Sequence, residues 1–436
     1  MPSHKSLKQN SRRWIRNPLV SSGTCAGLLV SASLTAHAQA TDSDKLTTLE
    51  KQNETLQTRL DALEALVKQQ GLMPSSNAVS AAESLTLSGY VQASYFYNTR
   101  RPANGLNDAY LWNTKDNSFS LNKFKVTLNS KPVATDKWDA AFRASLLFGD
   151  DAPALNSSGN NGTTVGGNTS FNDLREAYVE LNVPIGTGLD IKAGEMISLL
   201  NWESGDGGAA NPNFSQGNQW WFTGNGPSAG VQATYNFTDK INLTMRVDNG
   251  LFQGPVDNNS GKAFSGSLNF KPTKDLWFNL IGWYESAAGG SGSDISGIST
   301  IGGYQITEKL GTGFEVDYFN FSSDINASDL WSIGGWIWYD FTPMVDLAFR
   351  ADYIDDRDGL LGPAVRPGAG LPGVTPPLVN DSNGDLGSLT LTLNLKPATN
   401  IKIQPEVRYD YTSYAGGFGG GKKDRIIVGA GITYLF

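Results

Sequence analysis

The chain has 436 residues, of which 39% are hydrophobic, 11% are aromatic and only 17% are charged, and it contains 49 glycines. Its formal charge of −8 argues against nucleic acid as a partner. Outside the N-terminal segment no apolar run is long enough for a transmembrane helix, whereas the composition suits the alternating strands of a transmembrane β-barrel.

Residues 1–38 have the order of features that defines a signal peptide. A basic start between His4 and Arg16 precedes an apolar, small-residue stretch from Leu19 to Leu34, and residues 36–38 supply an A-x-A cleavage site. We therefore expect export and a mature N-terminus near Gln39.

Cleavage would remove the only cysteine, Cys25, and both histidines, His4 and His37. Five of the 34 basic residues and none of the 42 acidic residues lie in this segment, which leaves a mature formal charge of about −13. The mature chain would have no thiol nucleophile, no His-based triad and no Cys or His metal ligand. The sequence therefore predicts that the protein is not an enzyme and has no catalytic residues, no metal site and no cofactor.

Residues 39–71 predict a short helical stalk in the periplasm. From Lys45 to Gln70 the chain contains no Gly or Pro and is rich in good helix formers. Its apolar residues recur at alternating steps of three and four, as in a coiled coil. Residues 72–84, which contain Pro and several Ser directly after Gly71, predict a flexible linker between the stalk and residue 85.

The stalk pattern favours a homotrimer. Arg59 and Glu64 flank two leucines in an arrangement that resembles a known trimer-directing pattern, and an Asn replaces one apolar core residue, where it would fix the register. The alternative is an amphipathic helix that lies on its own barrel or stays partly disordered, since the segment is short for an isolated coiled coil. The expected trimerisation residues are Asn53, Arg59, Leu60, Leu63 and Glu64.

Residues 85–436 repeat one theme, about ten residues with period-two hydrophobicity followed by a turn. Ile401, Ile403 and Val407, for example, alternate with Lys402, Gln404, Glu406 and Arg408. Counting these runs predicts an all-β fold, an antiparallel transmembrane β-barrel of about 16 strands. An even number of strands would leave both termini in the periplasm.

The connections between the runs distinguish a barrel from a soluble β-sandwich, because they alternate between short and long, as periplasmic turns and extracellular loops do. The predicted short connections are 184–188, 238–240, 271–275, 307–310, 342–344 and 396–400. The predicted long connections are 99–116, 149–171, 195–227, 249–261, 285–298, 355–383 and 412–423.

The last predicted strand alternates up to a terminal aromatic residue. Tyr434 and Phe436 continue the apolar positions of this strand. The pattern resembles the signal that the barrel-assembly machinery reads in outer-membrane proteins, and we expect that machinery to be a partner.

Several segments together resemble the β-barrel porin type 2 (OmpL-like) family. They are FSLNKFKVTLNSKP at 119–132, LREAYVELNVP at 174–184, NPNFS at 211–215, PSAGVQATYNF at 227–237 and IQPEVRYD at 403–410. The resemblance spans most of residues 85–436. It implies a porin-like channel in the outer membrane of a Gram-negative bacterium, in contact with outer-membrane lipid and lipopolysaccharide, and it brings neither an agreed substrate nor catalytic residues.

A barrel of 16 strands is wide enough for an aqueous lumen, so selectivity requires a constriction. The third long connection, Glu195 to Pro227, lies where trimeric porins fold a loop inward. We expect it to narrow the lumen with Glu195, Glu203 and Asp206, accompanied by Trp220, Trp221 and Phe222. The alternative is an exposed outer loop, which its glycines would equally permit.

Basic residues on the polar faces of the runs predict a ladder opposite this acidic loop, so that a transverse field acts on passing solutes. Alternatively, individual members pair with acidic residues across strands and only stiffen the wall. The candidates are Arg143, Arg175, Lys192, Arg246, Arg350, Lys402 and Arg408.

Four tryptophans also occupy positions that alternate in step with the polar residues of their runs. They would therefore face the lumen, where their rings could stack against sugars. The alternative is a place in the aromatic girdles at the membrane interfaces. They are Trp277, Trp283, Trp336 and Trp338.

The expected function is therefore passive diffusion of small hydrophilic solutes across the outer membrane. Two alternatives remain open, a porin selective for sugars and a barrel with a closed lumen that serves tethering or adhesion.

Overall fold

The computed structural model describes residues 51, 54–55, 57–59 and 85–436, apart from 108, 111, 131–132, 156–172, 225, 252–259, 289–292, 323–326, 360–382, 415 and 419–420. The predicted signal peptide and linker lie outside the described residues, as do Asn53, Leu60, Leu63 and Glu64 of the predicted stalk. The described stalk residues, which include Arg59, are helical and exposed. Within them the Thr55 and Thr58 hydroxyls donate hydrogen bonds to carbonyls four residues earlier (2.7 and 2.8 Å), a contact that helical geometry provides.

Residues 85–436 form a closed antiparallel barrel of 16 strands, which confirms the predicted fold. Each strand pairs with its neighbours in sequence, and β1 closes the barrel against β16. The strands are β1 (Thr86–Asn98), β2 (Ser118–Asn129), β3 (Asp139–Phe148), β4 (Leu174–Val183), β5 (Leu189–Met196), β6 (Ser228–Asn236), β7 (Ile241–Asp248), β8 (Ala263–Phe270), β9 (Leu276–Ala288), β10 (Ser293–Gln305), β11 (Leu310–Ser322), β12 (Ala327–Thr342), β13 (Val345–Asp356), β14 (Gly384–Ala398), β15 (Ile401–Thr412) and β16 (Asp424–Leu435).

Alternating burial along the strands separates an outer face from an inner face. On β12, Ile333 is 58% exposed whereas its neighbour Ser332 is buried, and β15 and β16 alternate in the same way. The exposed positions are mainly aliphatic and aromatic, and the buried ones are mainly polar. An apolar outside with a polar inside is the arrangement that lipid requires of a barrel.

The connections follow the predicted rhythm, with two exceptions. β11 ends at Ser322 and β12 begins at Ala327, so that connection is short where the alternation predicts a long one. The prediction of a long connection at residues 285–298 is wrong, because β9 continues to Ala288 and pairs there with Ser293 of β10. The Gly- and Ser-rich sequence suggests a loop, but Gly297 is needed inside the strand, where an added Cβ would lie 2.2 Å from the Trp283 ring.

Helical structure is sparse among the described residues of the barrel unit. Two short helices, α1 (Ala152–Leu155) and α2 (Asn218–Phe222), and a 3₁₀ turn at Gly207–Ala209 lie in connections between strands. None of the helices in the described part of the chain is long and apolar enough to cross a membrane.

A hydrophobic cluster lies on the inner face of the barrel, at positions where the strand pattern alone predicts contact with water. Leu200 and Phe222 from the β5–β6 connection and Leu251 from the β7–β8 connection pack in one cluster with inward side chains of β8 to β14. The inward members are Ala263, Ile281, Trp283, Ile295, Ile301, Phe319, Leu330, Ile354 and Leu386. Burying these side chains fixes the two connections inside the barrel.

Candidate functional site

The β5–β6 connection, residues 197–227, lies inside the barrel and is called the constriction loop from here on. At Asp206 it forms hydrogen bonds to inward side chains of β1 and β2, and the loop residues on either side of Asp206 bond to inward side chains of β11 to β15. The loop therefore follows the inner wall over about half of the barrel's circumference, which places this connection inside the barrel and away from the outer surface.

Glu203 is the central anchor of the constriction loop. Its carboxylate accepts hydrogen bonds from Arg350 Nη1 (2.8 Å), from Trp336 Nε1 (3.1 Å) and from the backbone N–H of Gly217 (2.6 Å). Arg350 also donates to the Ser215 carbonyl (2.5 Å). Both side chains of the ion pair are buried, so the charges depend on each other and on these bonds.

Three carboxylates on the strands accept hydrogen bonds that the loop donates. Glu406 Oε2 accepts the Phe214 N–H (2.9 Å) and Asp352 Oδ1 accepts the Asn218 N–H (3.2 Å). Asp317 accepts bonds from the loop side chains Gln219 and Thr223 (2.8 and 2.7 Å). Backbone groups that would be unsatisfied in a buried loop thus find charged partners.

Asp206 is the charged loop residue that reaches β1 and β2. Its carboxylate accepts hydrogen bonds from Tyr90 Oη (2.9 Å) on β1 and from Lys125 Nζ (2.9 Å) on β2. The side chain is still 27% exposed. Burial would raise the pKa of this carboxyl, but Lys125, Arg175 and the Tyr90 hydroxyl outweigh it and hold the pKa below the usual 3.8.

A second ion-pair chain ties the β1–β2 connection to the wall. Asp410 accepts from Arg408 Nε (2.6 Å), from Arg425 Nε (2.7 Å) and from the Tyr110 hydroxyl (2.8 Å). Both guanidinium groups also lie over the Tyr110 ring, 4.7 and 4.4 Å from its centroid. Arg408 Nη1 donates to the Gln216 carbonyl of the constriction loop (2.5 Å), which joins the two connections.

Five of the seven predicted ladder residues donate hydrogen bonds to carbonyl oxygens, and all of them except the half-buried Lys402 are buried. Arg350 and Arg408 lie beneath the constriction loop, and Lys402 donates to the Gly208 and Asn211 carbonyls (3.1 and 2.7 Å). Arg246 donates to the carbonyls of Met196 and Ile197 at the root of the loop (3.0 and 2.6 Å). Arg175 is buried and donates to the Leu155 carbonyl of α1. The structure thus places these cations as loop anchors, because loop carbonyls and carboxylates replace the water they would otherwise bind.

The other two, Arg143 and Lys192, stay accessible on the opposite wall, with side chains 33% and 25% exposed. Arg143 Nε donates to Glu176 (2.7 Å), and Lys192 Nζ lies 3.9 Å from Glu180. Both pairs join neighbouring strands, so they also fit the cross-strand alternative. Together with Asp206 they are charged side chains that the structure leaves in reach of water around the loop.

The remaining acidic candidate, Glu195, lies one residue before the end of β5 and is buried in electrostatic contact with Arg246. It therefore lies at the root of the constriction loop and away from Asp206. Of the loop aromatics, Phe222 belongs to the hydrophobic cluster and Trp220 packs edge-on against Trp112 (5.2 Å between ring centroids). The Trp221 side chain lies outside the described residues.

All four candidate tryptophans lie on the inner face. Trp283 and Trp336 are buried, whereas Trp277 and Trp338 are half-buried. Trp202 of the constriction loop, which strand parity could not reveal, stacks on Trp336 with 4.5 Å between ring centroids and an interplanar angle of 21°. Trp331, on the same strand as Trp336, points outward and is 51% exposed.

The C-terminal strand closes the barrel. Tyr434 pairs with Val91 of β1, and Phe436 exchanges two backbone hydrogen bonds with Gly89 (2.9 and 3.0 Å). The side chains of Tyr434 and Phe436 are each 46% exposed on the outer surface. In the described part of the chain no group of His, Cys, Asp and Glu side chains is arranged to hold a metal ion.

The Arg350–Glu203 anchor leads to a prediction. Arg350→Ala would leave the Glu203 carboxylate buried without its cation, at a cost of about 3–5 kcal/mol to the seated loop. Amide hydrogen exchange of residues 203–217 in detergent is expected to become much faster, while exchange in β3 to β8 stays unchanged. Arg357→Ala is the matched control, because that guanidinium belongs to an exposed pair and its side chain is 77% exposed. Equal exchange of the loop in both variants would contradict the anchoring role.

Comparison with known proteins adds family and fold information. The family model described as "Putative beta-barrel porin-2, OmpL-like" matches residues 84–436. The search of curated proteins found no match.

Solved structures with the same fold are distant in sequence. An anion-selective porin from Comamonas acidovorans has a TM-score of 0.53 at 14% identity, covering 81% of this chain and 99% of that one. OmpT of Vibrio cholerae in its trimer form has a TM-score of 0.51 at 11% identity, covering 81% and 99%. The outer-membrane channel DcaP of Acinetobacter baumannii has a TM-score of 0.50 at 12% identity, covering 81% and 97%. At these identities the likeness establishes the fold alone.

Proposed function

This chain belongs to the "Putative beta-barrel porin-2, OmpL-like" family of outer-membrane porins, and on that premise we propose that it carries small hydrophilic solutes by passive diffusion. The observation that supports this function is a loop seated inside a closed barrel, with accessible charged groups left on the facing wall. Solutes would pass between the constriction loop and the wall formed by β3 to β10. Selection would then depend on size and on the field between Asp206 and the cations near it.

Liposome swelling tests this function against a closed barrel used for tethering. We expect vesicles that contain the purified protein to swell in small sugars and amino acids, at rates that fall as solute size rises. A tether with a closed lumen would pass none of these solutes. Vesicles without protein supply the background rate.

We propose that the protein has no catalytic role and that it is inserted into the outer membrane by the barrel-assembly machinery. The outward, half-exposed Tyr434 and Phe436 on the closing strand support recognition by that machinery. The apolar outer face supports contact with outer-membrane lipid and lipopolysaccharide.

We propose that the channel is a homotrimer held by its N-terminal stalk in the periplasm, through Asn53, Arg59, Leu60, Leu63 and Glu64. The coiled-coil spacing of residues 45–70 supports this assignment, and the solved OmpT is described in a trimer form. Removing residues 45–70 is expected to convert cross-linked trimers in mild detergent into smaller species. Leu60→Asp tests the same seam with one substitution, and an unchanged trimer in both variants would contradict the stalk's role.

The depressed pKa of Asp206 predicts how the loop responds to acid. A carboxyl whose pKa in the folded protein lies below its unfolded value stabilises the fold above the unfolded pKa and loses that effect as the pH falls through the folded pKa. We therefore expect the exchange protection of residues 204–211 to stay constant from neutral pH down to about pH 4 and to fall only below it. Asp206→Asn should remove this acid transition, and an unaltered transition would contradict the assignment.

A further inference from the structure

A group of four indole rings lies on the inner face at the ends of β9 to β12 that carry the short turns. It consists of Trp202, Trp277, Trp336 and Trp338 and is called the indole platform. One register row joins Trp277 of β9 to Gly303, Gly313 and Trp336 on the next three strands. The row thus has indoles at its two outer strands and glycines at the two between them.

The glycines make room for a loop ring. An added Cβ at Gly313 would lie 2.3 Å from the Trp202 indole, and one at Gly311 would lie 2.2 Å from the Trp338 indole. Trp202 therefore fills the space over the row, stacked on Trp336 and with its centroid 6.0 Å from that of Trp338. Trp202, Trp277 and Trp338 are half-buried, so part of each ring remains in reach of water inside the barrel.

A row of side-chain amides continues the platform along the wall. Asn242, Asn269 and Asn279 are in register on β7, β8 and β9, and all three are half-buried on the inner face. Asn269 Nδ2 donates to Asn242 Oδ1 (2.6 Å). Asn279 lies two residues after Trp277 and on the same face, which brings the amide row to the edge of the indoles. At the opposite edge Asp340 follows Trp338 on the same face of β12.

We propose that the indole platform and the amide row form a binding site for neutral carbohydrate, a polyhydroxylated ring that slides along the wall as it passes. This assignment rests on the proposed channel function and narrows it to a substrate class. Indole faces are large, rigid and apolar, and they suit the flat C–H faces of a pyranose ring. Amide groups both donate and accept hydrogen bonds, which matches the two roles of each sugar hydroxyl.

The charge of the patch favours a neutral solute. Its half-buried polar members are three amides and Asp340. The Glu203 carboxylate that touches Trp336 is buried and paired with Arg350, and the accessible cations Arg143 and Lys192 lie on β3 and β5. An anionic solute would find no counter-charge among the half-buried members of the patch. A purely apolar aromatic solute would use the indoles but would leave the amides without partners.

Current blockade in planar bilayers tests the site. The probes are three neutral trisaccharides, maltotriose, cellotriose and raffinose, with the linear polyol sorbitol and benzyl alcohol as comparisons. We expect at least one trisaccharide to interrupt the open-channel current in a concentration-dependent way, and sorbitol and benzyl alcohol to cause no resolved blockade. Open channels that no trisaccharide blocks would overturn the carbohydrate assignment while leaving the channel function intact, and blockade by benzyl alcohol alone would assign the site to aromatic solutes.

Two substitutions locate the blockade at this wall. Trp338→Ala and Asn279→Ala are each expected to weaken trisaccharide blockade about tenfold, which corresponds to about 1.4 kcal/mol. Trp331→Ala is the matched control, because it removes an indole from the same strand but from the outer face. Trp338→Phe keeps a ring and should recover part of the affinity. Equal blockade of the wild type, Trp338→Ala and Asn279→Ala would overturn the site.

Discussion

Replacing residues 200–224 with a short Gly/Ser turn is expected to raise single-channel conductance about threefold, because it removes the element that narrows the lumen. The constriction loop contacts inward side chains of β1, β2 and β11 to β15, so its removal would open that side of the barrel to water. Met196 and Ser228 are directly paired at its ends, so a short turn can join β5 to β6 without strain.

Removal of the loop strips partners from Arg350, Arg408 and Glu406, which would be costly in a dry interior. Water that enters the widened lumen would solvate these groups, and we expect the barrel to survive. Unchanged circular dichroism and unchanged heat-dependent gel mobility would establish that it does. A folded variant with wild-type conductance would mean that the narrowest point lies elsewhere.

Asp206→Asn is expected to shift permeability towards anions, by about threefold in the ratio of anion to cation permeability. The carboxylate lies 2.9 Å from Lys125 Nζ and interacts electrostatically with Arg175 and Arg143. The substitution keeps the shape of the side chain and leaves these cations less compensated. Reversal potentials across a salt gradient measure the ratio directly.

The control for this shift is the same substitution at Asp239, which is exposed in the turn between β6 and β7. It changes the net charge equally but lies outside the lumen wall, so its reversal potential should match that of the wild type. Equal shifts in both variants would indicate that total charge sets selectivity and that the position of Asp206 is unimportant.

The barrel could be predicted from the sequence because residues that face lipid must be apolar, whereas the alternate residues that face the interior are mainly polar. Ile401, Ile403 and Val407 face outward and Gln404, Glu406 and Arg408 face inward, as their parity predicts. The pattern gives the face of a side chain but not what covers it. Lys402 and Arg350 therefore look like pore-lining cations in the sequence, while in the fold they bind the constriction loop.

The sequence does contain a pattern that predicts where the loop packs, but alternation between the two faces does not by itself reveal it. Ile281, Ile301 and Leu330 are apolar at inward positions, where a water-filled barrel would have polar side chains. Apolar residues there require a cover, and Leu200 and Phe222 of the constriction loop supply it. The position of Trp202 could not be predicted in this way, because residues in a loop do not alternate between two faces as residues in a strand do. Its position depends on the space that Gly313 leaves.

Cysteine accessibility under voltage tests most directly whether water runs between the constriction loop and the facing wall. Two cysteine substitutions, Gln232→Cys and Thr392→Cys, are compared in a background without Cys25. Gln232 is half-buried on the inner face of β6, whereas Thr392 is fully buried beneath the loop. We predict discrete conductance steps that a charged thiol reagent reduces in Gln232→Cys and leaves unchanged in Thr392→Cys. Absent steps, or equal reaction at both positions, would contradict this account.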